Sequence, residues 1–207
     1  MKINPAPFHM AQVALIGIAA ALSVAILGTS AHTLDVFNKQ QTINPWWMPF
    51  WPQHFDVDGT KALIGSSAAT IVLSMVFLAF ALVPRFALTP TMRALLGLGT
   101  TLPSCLVNLV TVIYAHILNS NGGNTERDTI QTWTCKYQNG TPFQGDVALL
   151  PNMGNENFGS LCRESRFAVY GTLIVFLLLG FSLVLTILAW AADKWAARKS
   201  SKEVEMQ

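Results

Sequence analysis

This sequence is short of charge, of cysteine and of the close residue spacings that mark common catalytic centres. Only 12% of its 207 residues are Asp, Glu, Lys or Arg, while 52% are hydrophobic; a soluble domain ordinarily has about 25% charged residues. There is no glycine-rich phosphate loop, no CxxC pair, no GxSxG elbow and no HExxH or HxxxH spacing, so nothing points to nucleotide hydrolysis, thiol redox chemistry, an acyl-enzyme or a helical zinc site. A net charge of +2, with the basic residues beside apolar runs, argues against a nucleic-acid partner. No cofactor is implied, and the pattern points away from an enzyme.

The missing charge is concentrated in four windows, Phe8 to Leu34, Ala62 to Pro84, Ala94 to Thr125 and Phe167 to Ala192, which contain no Asp, Glu, Lys or Arg. Inside them the pattern predicts helices at about His9 to Gly28, Ala62 to Val83, Pro90 to Leu118 and Phe167 to Ala191. A hydrocarbon core of roughly 30 Å needs about 20 apolar residues in a helix, so each window can cross it once. A soluble four-helix bundle is the competing architecture, but its helices would keep a polar face, and these are apolar on nearly every side. The expected fold is therefore all-α: one integral-membrane bundle of four transmembrane helices over residues 1–207, with outer loops at 29–61 and 119–166 and a tail at 193–207. Lys2, the first apolar run and the small residues Thr29 and Ala31 also resemble a secretory signal cut before His32, but the run is long for one.

Charge orients the bundle. Lys2, Arg85, Arg93, Lys194, Arg198, Lys199 and Lys202 lie in the short terminal segments and the loop between spans two and three. The other basic residues are spread over the two longer loops, where most of the acidic residues also lie. The positive-inside rule then puts both termini in the cytosol, with Arg163 and Arg166 just before span four counting against it. Cys135 and Cys162 share the second outer loop and read as a disulfide, the bland alternative being two unpaired thiols, and Cys105 as a small buried apolar residue. Closing a loop of this size contributes about 3.5 kcal/mol on the chain-entropy model. Asn139-Gly140-Thr141 in the same loop is a glycosylation acceptor followed unfavourably by Pro142. Together these features predict the secretory pathway or plasma membrane.

The stretch from Asn44 to Phe55 packs Trp46, Trp47, Phe50 and Trp51 among Pro45, Pro49 and Pro52. Such a stiff aromatic loop is expected to lie at the outer headgroup level, with Trp190 and Trp195 as the inner belt; a platform for sterol, glycan or a partner helix is the alternative. Small or weakly polar residues form a stripe on each span: Gly17, Ala21, Ala25 and Gly28; Ser67, Thr70 and Ser74; Gly97, Thr101, Ser104, Asn108 and Thr111; Gly171, Ser182 and Thr186. These are expected to pack helix on helix, because lipid provides no hydrophobic drive between spans. Asn108 and, near the span edge, His116 are the candidate polar intramembrane site for a transporter or membrane-embedded enzyme. His32, His54 and His116 with Asp56 and Asp58 could in principle gather round a metal, without supporting spacing. Pro103 is expected to kink span three.

The segments Asn44-Pro45-Trp46-Trp47, Thr132-Trp133-Thr134-Cys135 and Cys162-Arg163-Glu164-Ser165-Arg166 resemble features of small four-span membrane proteins of filamentous fungi. In architecture alone the chain is similar to MARVEL-type tetraspan proteins, although the first outer loop has no cysteine of the claudin kind and the Cys-Cys-Gly of tetraspanins is missing. The resemblance implies a membrane-organising or accessory role, with the lipid bilayer, other membrane proteins or further copies of itself as partners. It implies no reaction.

Overall fold

The computed structural model describes residues 6–43, 51, 55–82, 89–121, 128–140 and 156–205, without the side chains of 6, 43 and 197–205. Trp46, Trp47, Phe50, His54, Pro84, Arg85 and the Thr141-Pro142 end of the acceptor site lie outside these residues. Four long helices dominate: α1 (Ala6–Ile43), α2 (Asp58–Leu82), α3 (Pro90–Asn121) and α5 (Phe158–Glu205). Each contains a stretch long and apolar enough to cross a membrane. They form a ring in which α1 packs on α2, α2 on α3, α3 on α5 and α5 back on α1.

Local chemistry sets several of the boundaries. Asp58 opens α2 and supplies an acidic residue to its first turn, where the helix dipole favours negative charge. At α3, Thr89 Oγ1 accepts from the Met92 backbone N–H at 3.3 Å, and Pro90 occupies the first helical position, where its missing donor costs nothing. Pro103 sits inside an unbroken α3.

The two outer segments are more helical than expected. Instead of ending near Gly28, α1 continues to Ile43, a helix of 38 residues spanning about 57 Å. Likewise α5 begins at Phe158 rather than Phe167 and runs for 48 residues, about 72 Å. Both exceed a hydrocarbon core of about 30 Å; at the cap end the extension of α1 and the start of α5 are packed together through Phe37, Phe158 and Leu161. Between them lie a short helix α4 (Ile130–Lys136) and two two-residue strands, β1 (Phe55–Asp56) and β2 (Asp128–Thr129), paired in parallel with Phe55 opposite Asp128 and Asp56 opposite Thr129. These pieces form a cap at one end of the bundle.

Residue distribution in the bundle is the reverse of that in water. Gln12, Ser23, Ser67, Thr70, Asn108, Thr172 and Ser182 are buried, whereas Val72, Leu106, Val110, Tyr170 and Phe181 are exposed. Only 33% of the most apolar window of each span is covered by the rest of the chain. A helix apolar on all sides needs an apolar surrounding.

Three of the four small-residue stripes face inward. All the stripe residues of α2, α3 and α5 are buried, and a Cβ at Gly171 would stand 3.1 Å from the Ile26 side chain, so glycine there sets how closely α5 approaches α1. On α1 the expectation fails. Ala21, Ala25 and Gly28 are exposed, and nothing lies within 4 Å of where a Cβ would sit at Gly17 or Gly28. The bundle is contacted instead by the opposite side of the helix, through Gln12, Ile16, Ala19, Ser23 and Ile26.

Candidate functional site

Three regions bring polar or aromatic side chains together. The outermost is the cap. Phe37 from α1, Trp51, Ile130 from α4, and Phe158 and Leu161 from α5 form its buried core, with Phe55 and Trp133 packed against it. Trp51 is only 1% exposed. Its ring centroid is 5.0 Å from Phe37, 5.1 Å from Phe55 and 5.3 Å from Phe158, nearly perpendicular to the first two, the edge-to-face geometry aromatic pairs prefer. Its indole N–H donates to Gln40 Oε1 at 3.1 Å. Trp51 thus packs inside the cap, covered by aromatic partners from three segments, rather than presenting its ring outward. Trp190 and Trp195, by contrast, are exposed on α5, with Lys194 Nζ 5.1 Å from the centre of the Trp190 ring.

The cap is fastened by covalent and polar links. Cys135 of α4 and Cys162 of α5 form a disulfide, as the sequence suggested, while Cys105 is free. Thr129 and Thr132 exchange side-chain-to-backbone bonds at 3.2 and 2.9 Å at the start of α4, a reciprocal capping arrangement. Thr129 Oγ1 also donates to Asn119 Oδ1, and Asn119 Nδ2 to Gln131 Oε1, at 2.7 and 2.9 Å, tying α4 to the end of α3. His32 Nδ1 lies 2.8 Å from Glu164 Oε2, bridging α1 and α5. Asn139 is exposed just beyond α4.

The second region is the middle of the bundle. Asn108 is 1% exposed, and its amide donates to Thr70 Oγ1 of α2 and to the Ser104 carbonyl, each at 2.7 Å. Thr70 in turn donates to the Ser66 carbonyl at 2.8 Å. One bond therefore holds α3 to α2, and the other returns to the backbone of α3 itself. His116, on the same helix, is exposed on the outside of the bundle, so the structure does not join it to Asn108 in one site. Eight residues along a helix are about 12 Å apart, and Asn108 is buried whereas His116 is exposed. His32 faces Glu164, and no cluster of three His, Cys, Asp or Glu suited to a metal occurs among the described residues, which exclude His54.

The third region, which sequence reasoning missed, is a cleft of about 400 Å³ at the opposite end of the bundle from the cap. Its polar lining is His9 and Gln12 of α1 and Arg93 of α3; Val13, Phe77, Leu82 and Leu96 are among its apolar walls. Gln12 Nε2 donates to Thr186 Oγ1 on α5 at 2.7 Å, and a Cβ on Gly97 would lie 2.9 Å from that same nitrogen. Glycine at 97 therefore permits α3 to approach this link. His9 Nε2 is 3.8 Å from Asp193 Oδ2, and its Nδ1 is enclosed without a hydrogen-bond partner. The available signal in the sequence was Gln12, a polar amide one helical turn after His9 inside an apolar run.

Comparison with protein-family models, curated proteins and solved structures finds no match.

Proposed function

We propose that this chain is a non-enzymatic tetraspan membrane protein that works by lateral association, as an organiser of other membrane proteins or an accessory subunit. The observation that carries this reading is the outward stripe Gly17, Ala21, Ala25 and Gly28 on α1. It lies on a helix long and apolar enough to span, and among the described residues nothing comes within 4 Å of a Cβ at either glycine. In lipid such a surface permits close backbone approach by another helix, with the small side chains leaving room for van der Waals packing. The stripes of the other three helices are already occupied inside the bundle.

Charge and cysteine usage support a topology with the tail and the cleft in the cytosol and the cap outside it, in the secretory pathway or plasma membrane. The cap, held by its disulfide and aromatic core, then presents a pre-ordered surface to extracytosolic partners. The resemblance to fungal four-span proteins and the MARVEL-like architecture agree with this role. The transporter or enzyme alternative loses its proposed site, since Asn108 is engaged with Thr70 and His116 points elsewhere.

The test is oxidative crosslinking in native membranes, starting from a Cys105→Ser background. Cysteine at Ala21 or Ala25 should trap a neighbour, either a second copy or another membrane protein. Cysteine at Leu102, exposed on α3, should trap far less. Equal or no trapping at all these positions would remove the lateral-association reading.

A further inference from the structure

We infer that the cleft at the inner end of the bundle binds an anionic phospholipid, one acyl chain lying along its apolar wall and the phosphate against Arg93. The inference rests on the membrane topology proposed above, which puts this end at the cytosolic leaflet.

The size and lining of the cleft suit an amphiphile. About 400 Å³ lies within the range of roughly 300–1,000 Å³ typical of small-molecule sites. Its walls include Val13, Phe77, Leu82 and Leu96, and among the described residues its polar groups are those of His9, Gln12 and Arg93. A purely polar solute would leave the apolar walls unsatisfied, and a purely apolar one would desolvate the guanidinium without compensation.

Charge selects the sign of the headgroup. Among the described residues Arg93 has no carboxylate within ion-pair distance. The acidic side chain nearby, Asp193, is opposite His9, which lies between α5 and the cleft. Among the described residues Arg93 is therefore a cation of the site without an acidic partner. A guanidinium presents a fork of donors that matches phosphate oxygens, and basic pockets between membrane helices on the cytosolic side recur as sites for anionic headgroups. The Gln12 amide is fixed by its bond to Thr186, so the polar rim is pre-ordered. The enclosed Nδ1 of His9 is a second polar atom at the rim, to which no described residue supplies a hydrogen bond.

Native mass spectrometry of the full-length protein released from detergent tests the site, with dioleoylphosphatidylglycerol, dioleoylphosphatidylcholine and oleate as probes at equal concentration. Wild type should retain phosphatidylglycerol about fivefold over phosphatidylcholine, as expected for one basic group at a membrane surface. Arg93→Gln should abolish that preference, and Ala14→Phe, which fills the cleft from α1, should lower retention of both lipids. Lys194→Gln, at the same end but outside the lining, should change neither. Helical circular dichroism matching wild type qualifies each variant. Equal retention of the two lipids by wild type, an unchanged preference in Arg93→Gln with Ala14→Phe also inert, or displacement of phosphatidylglycerol by equimolar oleate would overturn the site. Phase partitioning in Triton X-114 separates this failure from that of the topology: protein found in the aqueous phase refutes the membrane reading itself, whereas detergent-phase protein without a phosphatidylglycerol preference refutes the lipid site alone.

Discussion

Replacing Trp51 with alanine tests whether the cap is a cooperative unit built on that one side chain. A tryptophan buries about 150–250 Å²; at 25 cal/mol per Å² that is about 4–6 kcal/mol of transfer free energy, and the extended-chain reference makes it an upper bound. Measured truncations of buried Phe or Trp cost about 3–5 kcal/mol, and the three ring contacts together with the bond to Gln40 place Trp51→Ala within that range. If the cap opens independently of the bundle, its amide exchange should speed up by about 10²–10⁴-fold. Hydrogen–deuterium exchange by mass spectrometry in detergent reads this directly. Peptides covering α4 and the first two turns of α5 should lose protection, while peptides from the middle of α2 and α3 should not. Trp51→Phe, which retains an aromatic ring and loses the indole donor, should have a clearly smaller effect. Unchanged protection of α4 in Trp51→Ala would refute the reasoning, because a tryptophan lying at a headgroup boundary would give that result. Uniform loss of protection across cap and bundle would refute the independence of the cap.

Thr70→Val and Asn108→Leu, made singly and together, should give a coupling of about 0.6 kcal/mol and no more than about 1.7 in a double-mutant cycle on thermal stability in detergent; additivity would mean that the 2.7 Å bond contributes nothing. Gly97→Val should destabilise by about 1–3 kcal/mol through overpacking, since its first added carbon already meets Gln12 and Thr186 at 2.9 Å. Gly17→Val, which meets nothing within 4 Å, should leave the monomer's melting temperature within 2 °C or so of wild type, in line with surface substitutions.

Sequence pattern revealed four helices long and apolar enough to cross a membrane because length and apolarity are both local properties. The pairing of Cys135 with Cys162 was legible for a related reason: two cysteines in one loop leave a single short closure. The cap was not legible. Its core joins Phe37, Trp51, Ile130 and Phe158, which no local periodicity relates, and the continuation of α1 past Gly28 depends on those distant partners. Trp51 was misplaced for the same reason, its neighbours Trp46 and Pro52 suggesting an interface whereas a tertiary contact decides its position. The stripe on α1 shows a different limit. Spacing places Gly17, Ala21, Ala25 and Gly28 on one face, but any of several faces of an apolar helix can be the one that meets its neighbours. Likewise, the inner cleft needs Arg93 of α3 beside His9 of α1, a meeting that only the ring order of the helices produces.

The unbroken continuation of α1 from the bundle into the cap acts as a stiff strut. From Gly28, the expected outer edge of the first span, to Ile43 is about 22 Å of helix at 1.5 Å per residue, and the salt bridge from His32 to Glu164 braces it against α5. The height at which the cap meets anything outside is thus set by helix length rather than by a pliable tether. Lengthening the strut by one residue would turn the cap through about 100° while raising it only about 1.5 Å, so orientation toward a neighbour is far more sensitive to insertions there than reach is.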